Sequence, residues 1–165
     1  MNQETTRQVW DGMLDAERLS RYYGYLAQKL EKIDRRLAIS AAIASSASFV
    51  SLATNWLPEY PWLPSVLTAV TSVLTIWLVS SQNSRKAVKS AIIRRRCSDL
   101  LLEWEVLWSE STSMQELDVR ARWEELRAKE TAITDGLDVE LPEDKALEKL
   151  SEIEAYQYRQ QVHAT

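Results

Sequence analysis

The chain has 165 residues and a net charge of -4, and 45% of its residues are hydrophobic. A single cysteine, Cys97, excludes an internal disulfide, and a single histidine, His163, leaves the usual zinc ligand sets without members. The sequence has no Gly-rich phosphate loop, GxSxG or HExxH motif. We therefore expect no enzyme activity, no metal site and no cofactor.

The N-terminal segment, residues 1–36, has the apolar pattern of one helix. Its apolar residues alternate spacings of four and three, which places them on a single helix face. They are Leu19, Tyr23, Leu26, Leu30, Ile33 and Leu37. No helix-breaking residue lies between Ile33 and the uncharged segment that begins at Leu37, so we expect this helix to continue into that segment.

The middle of the chain contains two stretches without charged side chains, Leu37–Pro58 and Tyr60–Ser84. A bilayer core of roughly 30 Å needs about 20 helical residues, so we predict transmembrane spans at about 37–57 and 64–82. The connector LPEYPWLP holds three prolines and makes the spans antiparallel neighbours. The alternative is a soluble bundle that buries this hairpin, and the Ala- and Ser-rich first span favours it.

Aromatic and basic residues predict how the hairpin, residues 37–84, lies in the membrane. Aromatic side chains favour the membrane interface, and the candidates are Trp56, Tyr60, Trp62 and Trp77. Basic residues flank the hairpin on one side, which places both termini in the cytoplasm of a bacterial inner-membrane protein. These candidate headgroup-binding residues are Arg35, Arg36, Arg85, Lys86, Lys89, Arg94, Arg95 and Arg96.

The C-terminal region, residues 85–165, reads as a cytoplasmic helical region with helices at about 85–109, 114–134 and 143–160. The first presents an apolar stripe for packing, consisting of Cys97, Leu100, Leu101, Trp104, Leu107 and Trp108. Ser113 and Glu116 form a capping-box signal for the second helix. The third carries an apolar stripe that we expect to face inward, namely Leu147, Leu150, Ile153 and Tyr156 or Tyr158.

Charge is segregated along the chain. Residues 37–96 carry a net charge of +5, and residues 97–165 carry -10. An acidic region beyond a basic collar is not typical of nucleic-acid binding, whereas the collar suits anionic lipid. The predicted fold class is an all-α membrane protein, in which an antiparallel two-helix transmembrane hairpin extends into a cytoplasmic helical bundle.

Small and hydroxyl residues run along one face of each span. They are Ser65, Thr68, Ser72 and Thr75 in the second span, and Ser48, Ser51 and Asn55 in the first. Such faces let membrane helices approach closely and form hydrogen bonds, or they line water in an oligomeric pore. Both interpretations predict a homo-oligomer, because one hairpin cannot enclose a lumen.

Two segments, Arg18–Ser40 and Ser84–Trp108, flank a Ser/Ala-rich span, a Pro/Trp turn and a second span. This layout resembles the SLATT superfamily, the two-transmembrane effector domains of bacterial conflict systems. The resemblance implies an oligomer that permeabilises the inner membrane in antiphage defence. It also implies a separate sensor or nucleotide-signalling protein as a partner.

Two alternative functions stay open. One is a non-conducting membrane scaffold that recruits a cytoplasmic partner through an exposed surface including some of Trp104, Trp108 and Trp123. The other is a holin-like protein, against which the large helical region after residue 84 counts.

Overall fold

The computed structural model describes residues 3–46, 62–135 and 141–163. Of these residues 91% are helical and none forms a strand, which confirms the all-α fold class. The helices are α1 (Gln3–Ser45), α2 (Leu63–Ser81), α3 (Asn83–Glu110), α4 (Glu116–Asp135) and α5 (Lys145–His163).

The chain divides into two compact units. Unit 1 comprises residues 1–27 and 88–165, and unit 2 comprises residues 28–87. Helix α1 is continuous for 43 residues, so no break separates the N-terminal helix from the first predicted span as far as Ser45. The rest of that span, residues 47–57, lies outside the described residues, as does most of the connector.

Helices α2 and α3 are separated by one residue. Gln82 adopts a left-handed conformation, with φ 49° and ψ 29°, and it is the only non-glycine residue of the described chain with positive φ. Its carbonyl accepts a hydrogen bond from the Lys86 backbone nitrogen at 3.0 Å. The second predicted span thus ends at a backbone break, which its helix-compatible sequence did not indicate.

The core of unit 1 lies between α1, α3 and α4. Its buried members are Val9, Met13, Ala16, Leu100, Trp104, Leu107, Val119 and Leu126. The stripe predicted on α3 is buried or half-buried, as expected. The predicted seam of α1 began too late, since Val9, Met13 and Ala16 extend its buried face toward the N-terminus at spacings of four, three and three.

The loop between α3 and α4 corrects the predicted capping box. Ser113 donates its hydroxyl hydrogen bond to the Glu110 carbonyl at 2.8 Å, so it closes the end of α3. Helix α4 begins only at Glu116. The capping-box prediction was wrong because a serine between two helices can bond to the last carbonyls of the first one.

Helix α5 turns a different face inward from the one predicted, although Leu147 of the predicted stripe is half-buried. Leu150, Ile153 and Tyr156 are exposed, whereas Ser151, Ala155 and Arg159 are buried. Small side chains allow close helix approach, and Arg159 finds carboxylate partners there. The apolar stripe misled the prediction, because periodicity takes no account of small residues or of a buried arginine beside carboxylates of other helices.

Candidate functional site

Helix α2 of unit 2 leaves its apolar side chains exposed in a single copy of the chain. Ile76 is 67% exposed and Val79 is 73% exposed. The other large exposed apolar side chains of α2 are Val66, Val70, Val73 and Trp77. None of the side chains described on this helix is fully buried, and Leu74 and Leu78 are half-buried, so most of its apolar surface stays exposed within the described chain.

The last turns of α1, also in unit 2, share this property. Ile39 is 50% exposed and Ile43 is 57% exposed. The smaller residues around them, Ala38, Ser40 and Ala42, are exposed as well. Unit 2 therefore presents apolar residues from both of its helical segments.

The predicted hydroxyl stripe of α2 is exposed at Ser65, Thr68, Ser72 and Thr75. The Ser72 hydroxyl donates to the Thr68 carbonyl at 2.9 Å, and the Thr75 hydroxyl donates to the Thr71 carbonyl at 2.9 Å. Hydroxyls bonded to the preceding turn need no donor contact with water, so this face is compatible with an apolar environment.

The other candidates of the hairpin fall in two groups. Ser48, Ser51, Asn55, Trp56 and Tyr60 lie outside the described residues. Trp62, which precedes α2, and Trp77, in its C-terminal half, are exposed, and their role as interfacial aromatics stays a prediction. The structure thus describes the second span's candidates but only the start of the first span.

The basic side chains lie along α1 and α3. Those of Arg35, Arg36, Arg85, Arg94, Arg95 and Arg96 are exposed, and those of Lys86 and Lys89 are half-buried. In unit 2 the Ser84 hydroxyl donates to the Asp34 carboxylate at 3.0 Å. In unit 1 the Arg94 stem lies over Gly24, where an added Cβ would meet Arg94 Cδ at 3.2 Å.

A charged cluster in unit 1, which sequence reasoning missed, joins α5 to α1 and α3. Arg159 is 1% exposed, and its Nη2 lies 3.1 Å from Glu105 Oε1 and 3.9 Å from Glu17 Oε2. Glu17 also accepts a hydrogen bond from Arg21 Nε at 2.6 Å. Buried charges are tolerated only when paired, so this cluster holds α5 in one orientation.

The outer side of the cluster is built on Glu154 and Tyr158. Glu154 accepts hydrogen bonds from Arg21 Nη1 at 3.3 Å and from the Tyr25 hydroxyl. The Tyr158 ring centroid lies 5.3 Å from Arg21 Cζ and 5.8 Å from Arg159 Cζ. The carboxylates of the cluster lie against the guanidinium groups of Arg21 and Arg159, so we assign the cluster a structural role.

Cys97 lies in the core of unit 1. Burial, together with the nearby Glu130 carboxylate, raises the pKa of its thiol to about 11. A thiol with that pKa is protonated at neutral pH and is a poor nucleophile. Cys97 is therefore a packing residue.

The three tryptophans named for the scaffold hypothesis are mostly withdrawn from solvent. Trp104 is fully buried, Trp108 packs against Trp10 with ring centroids 5.6 Å apart, and Trp123 Nε1 donates to the Gln8 carbonyl at 3.4 Å. A partner surface built on these rings would have only the half-buried Trp108 and Trp123 available.

Over the described ranges, no helix combines the length and the apolar content that crossing a membrane requires. Within the same ranges, no group of three or more His, Cys, Asp or Glu side chains is arranged to hold a metal ion. No protein-family model, curated protein or solved structure matches the chain.

Proposed function

We propose that the chain is an oligomeric two-helix membrane effector of bacterial defence. Its hairpin, predicted at 37–57 and 64–82, inserts into the inner membrane with both termini cytoplasmic, and its assembly perturbs that membrane. A separate sensor or nucleotide-signalling protein triggers it. The observation that carries the proposal is the exposure of six of the eight large apolar side chains described on α2.

Exposed apolar surface of this kind is unusual for a protein that works as a soluble monomer. Burying apolar area stabilises a protein by about 25 cal/mol per Å², and soluble monomers rarely leave a contiguous patch of more than a few hundred Å² in water. The soluble-bundle alternative requires the chain to bury α2 itself, yet no described side chain of α2 is buried. Lipid, or other copies of the hairpin, would supply the cover.

The polar groups of α2 fit the same environment. Ser72 and Thr75 satisfy their hydroxyl donors on the helix itself, which lowers the cost of leaving water. The basic residues Arg85 and Lys86 follow α2 directly, where Lys and Arg side chains interact favourably with anionic headgroups. These features belong to α2 and the residues after it, so they support the insertion of α2 even though the structure describes only the start of the first span.

Cell fractionation is the first test, because the described helices do not by themselves meet the requirements of a span. We expect the chain to sediment with membranes and to resist alkaline extraction. The double variant Val73→Asp/Ile76→Asp should move to the soluble fraction, since a carboxylate at a span centre costs about 2.5–3.5 kcal/mol. The matched control Leu117→Asp/Leu150→Asp changes exposed residues of unit 1 and should leave fractionation unchanged.

A wild-type chain found only in the soluble fraction would contradict the membrane proposal. So would equal effects of the two double variants, because the second pair lies outside the hairpin. Circular dichroism of each variant separates loss of membrane binding from loss of fold.

Ion flux from liposomes tests the effector activity. We expect reconstituted protein to release a trapped ion, and Thr68→Leu/Thr75→Leu to block release if the hydroxyl face lines water. Ser80→Leu, on another face of α2, is the control. Unchanged assembly with lost flux indicates a lumen, whereas altered assembly indicates helix packing. No flux at any protein density would overturn the effector proposal.

A further inference from the structure

The outer face of α3, which belongs to unit 1 from Val88 onward, carries a second apolar stripe. Val88 is 62% exposed, Ile92 is 49% exposed, and Leu102 is 59% exposed. Val106 completes the stripe at 47% exposed. This face lies opposite the buried face of α3, so no described residue of unit 1 buries it.

Two charged residues occupy the middle of the stripe. Arg95 and Asp99 are exposed and lie on the same face, because the positions 88, 92, 95, 99, 102 and 106 alternate spacings of four and three. That alternation is the seam of a two-helix coiled coil. The seam is apolar at both ends and oppositely charged at its centre.

The seam also has a symmetric arrangement about position 97. Apolar residues lie at equal separations on both sides of it, and so do one basic and one acidic residue. Val88 and Val106 each lie nine residues from position 97, Ile92 and Leu102 each lie five residues away, and Arg95 and Asp99 each lie two. Two antiparallel copies of α3 crossing at position 97 would place valine opposite valine and isoleucine opposite leucine. Each Arg95 would then face the other copy's Asp99.

A parallel pair of the same helices would have the opposite electrostatic outcome. Identical positions meet in a parallel two-fold coiled coil, so Arg95 would face Arg95 and Asp99 would face Asp99. Like charges placed directly opposite each other destabilise a helix pair. The charge pattern therefore discriminates between the two orientations, whereas the apolar residues fit both.

We propose that this face of α3, defined by Val88, Ile92, Arg95, Asp99, Leu102 and Val106, is a docking surface for a second copy of the chain in antiparallel orientation. The contact has a two-fold axis at position 97. In a two-fold contact, if a residue of one copy contacts a given residue of the other copy, the reverse contact also forms. Charge complementarity of the surface with itself is what selects a second copy as the occupant.

The inference concerns unit 1 alone and does not depend on the membrane proposal. The seam from Val88 to Val106 is about 27 Å long at 1.5 Å per residue. Helix α1 lies beside α3 in unit 1 and continues to Ser45, so this contact belongs to copies that are not inserted in the same membrane.

Charge exchange tests the orientation in the full-length protein in mild detergent. Arg95→Asp and Asp99→Arg should each weaken dimerisation by at least about tenfold, because each places like charges together at both symmetry-related contacts. The double variant Arg95→Asp/Asp99→Arg should restore wild-type affinity. The control Arg122→Asp makes the same change of charge on α4 and should have no effect in analytical ultracentrifugation.

Wild-type protein that stays monomeric at all concentrations would overturn the proposal. So would single variants that dimerise like the wild type, or a double variant that fails to recover. Dimerisation through the hairpin would be insensitive to all these exchanges, so it is distinguished by the same series.

Cysteine cross-linking tests the register. Copies carrying Val88→Cys, mixed with copies carrying Val106→Cys, should form a covalent dimer on oxidation. Either variant alone should not, because its own cysteines would lie about 27 Å apart across the axis. The buried native Cys97 remains in place. A dimer formed by Val88→Cys alone would indicate parallel pairing and overturn the proposal.

Discussion

Unit 1 and unit 2 are both built from helices, but they differ in how far their apolar side chains are buried and in how their polar side chains are paired. Unit 1 buries Trp104 and Leu126 completely and pairs the buried Arg159 with carboxylates. Unit 2 exposes Ile76 and Val79 and ties its described segments with the hydrogen bond of Ser84 to Asp34. The comparison shows that unit 1 buries a hydrophobic core, whereas the described part of unit 2 leaves most of its large apolar side chains exposed.

Replacing one tryptophan in each unit is the strongest test of this comparison. Trp104→Ala removes a fully buried ring and should lower the free energy of unfolding by about 3–5 kcal/mol. Trp62→Ala, at an exposed position of unit 2, should change it by less than about 0.5 kcal/mol. Urea titration followed by circular dichroism measures both. Equal effects would show that the two units fold as one cooperative structure.

Removing Arg159 tests whether charge pairing orients α5. Arg159→Ala should cost about 3 kcal/mol, since it leaves Glu17 and Glu105 without this partner and opens a cavity. Arg18→Ala, at a half-buried position of α1, is the control and should cost much less. Proteolysis that releases α5 first would support the role of the pair. Full retention of stability would show that Ser151 and Ala155 hold α5 without it.

Gly12→Ala tests how closely α1 and α3 pack in unit 1. An added Cβ would lie 2.7 Å from Trp104 Cζ2, so the ring must shift, and we expect a loss of about 1–3 kcal/mol. Gly24→Ala is the matched control, because it meets only the flexible Arg94 stem. The alanine there should be neutral or stabilising by up to about 1 kcal/mol. Thermal unfolding of the two variants should therefore shift in different directions or by clearly different amounts.

Gln82→Gly tests the backbone break in unit 2. A left-handed conformation costs a residue with a Cβ about 1 kcal/mol, and glycine does not incur this cost. The variant should therefore be as stable as the wild type or slightly more stable, while Gln82→Val should be less stable. Hydrogen exchange of the amides of α2 and of Lys86 locates the effect. A destabilised glycine variant would mean that the glutamine side chain contributes to the end of α2.

The smallest expected effect concerns Glu130 of α4. Burial raises the pKa of this carboxyl against the opposing attraction of Arg127. When the pKa of an acid is higher in the folded state than in the unfolded state, the protein becomes less stable as the pH rises through the range between these two pKa values. Glu130→Gln should remove this slope and be slightly more stable than wild type at neutral pH. Urea midpoints between pH 4 and pH 7 measure the difference, and an unchanged slope would contradict this reasoning.

Local patterns predicted much of the helical fold and less of its tertiary arrangement. Alternating spacings of three and four identified the buried face of α3, because burial of apolar residues alone orients that helix. The same reasoning failed for α5, where Ser151, Ala155 and Arg159 face inward. Periodicity weighs only apolar burial, and it contains no information about carboxylates such as Glu17 and Glu105 that come from distant segments.

The candidate functional residues divide in a similar way. The sequence located the apolar helix after Pro64 and its hydroxyl face, since both depend on residue type and helical spacing. It gave no sign that Gln82 breaks the backbone, because the residues on both sides favour a helix. It also did not reveal the second face of α3, whose significance depends on which side of the helix is already covered.

The sequence by itself determined that this protein is helical and that one segment, α2, is apolar without charge. Both properties follow from the short-range spacing and chemistry of neighbouring residues. Only the tertiary structure decided which side chains are covered: Trp104 against Gly12, Arg159 between Glu17 and Glu105, and on α2 no described side chain completely. Coverage depends on residues far apart in the chain, so it cannot be read from the spacing of neighbouring residues.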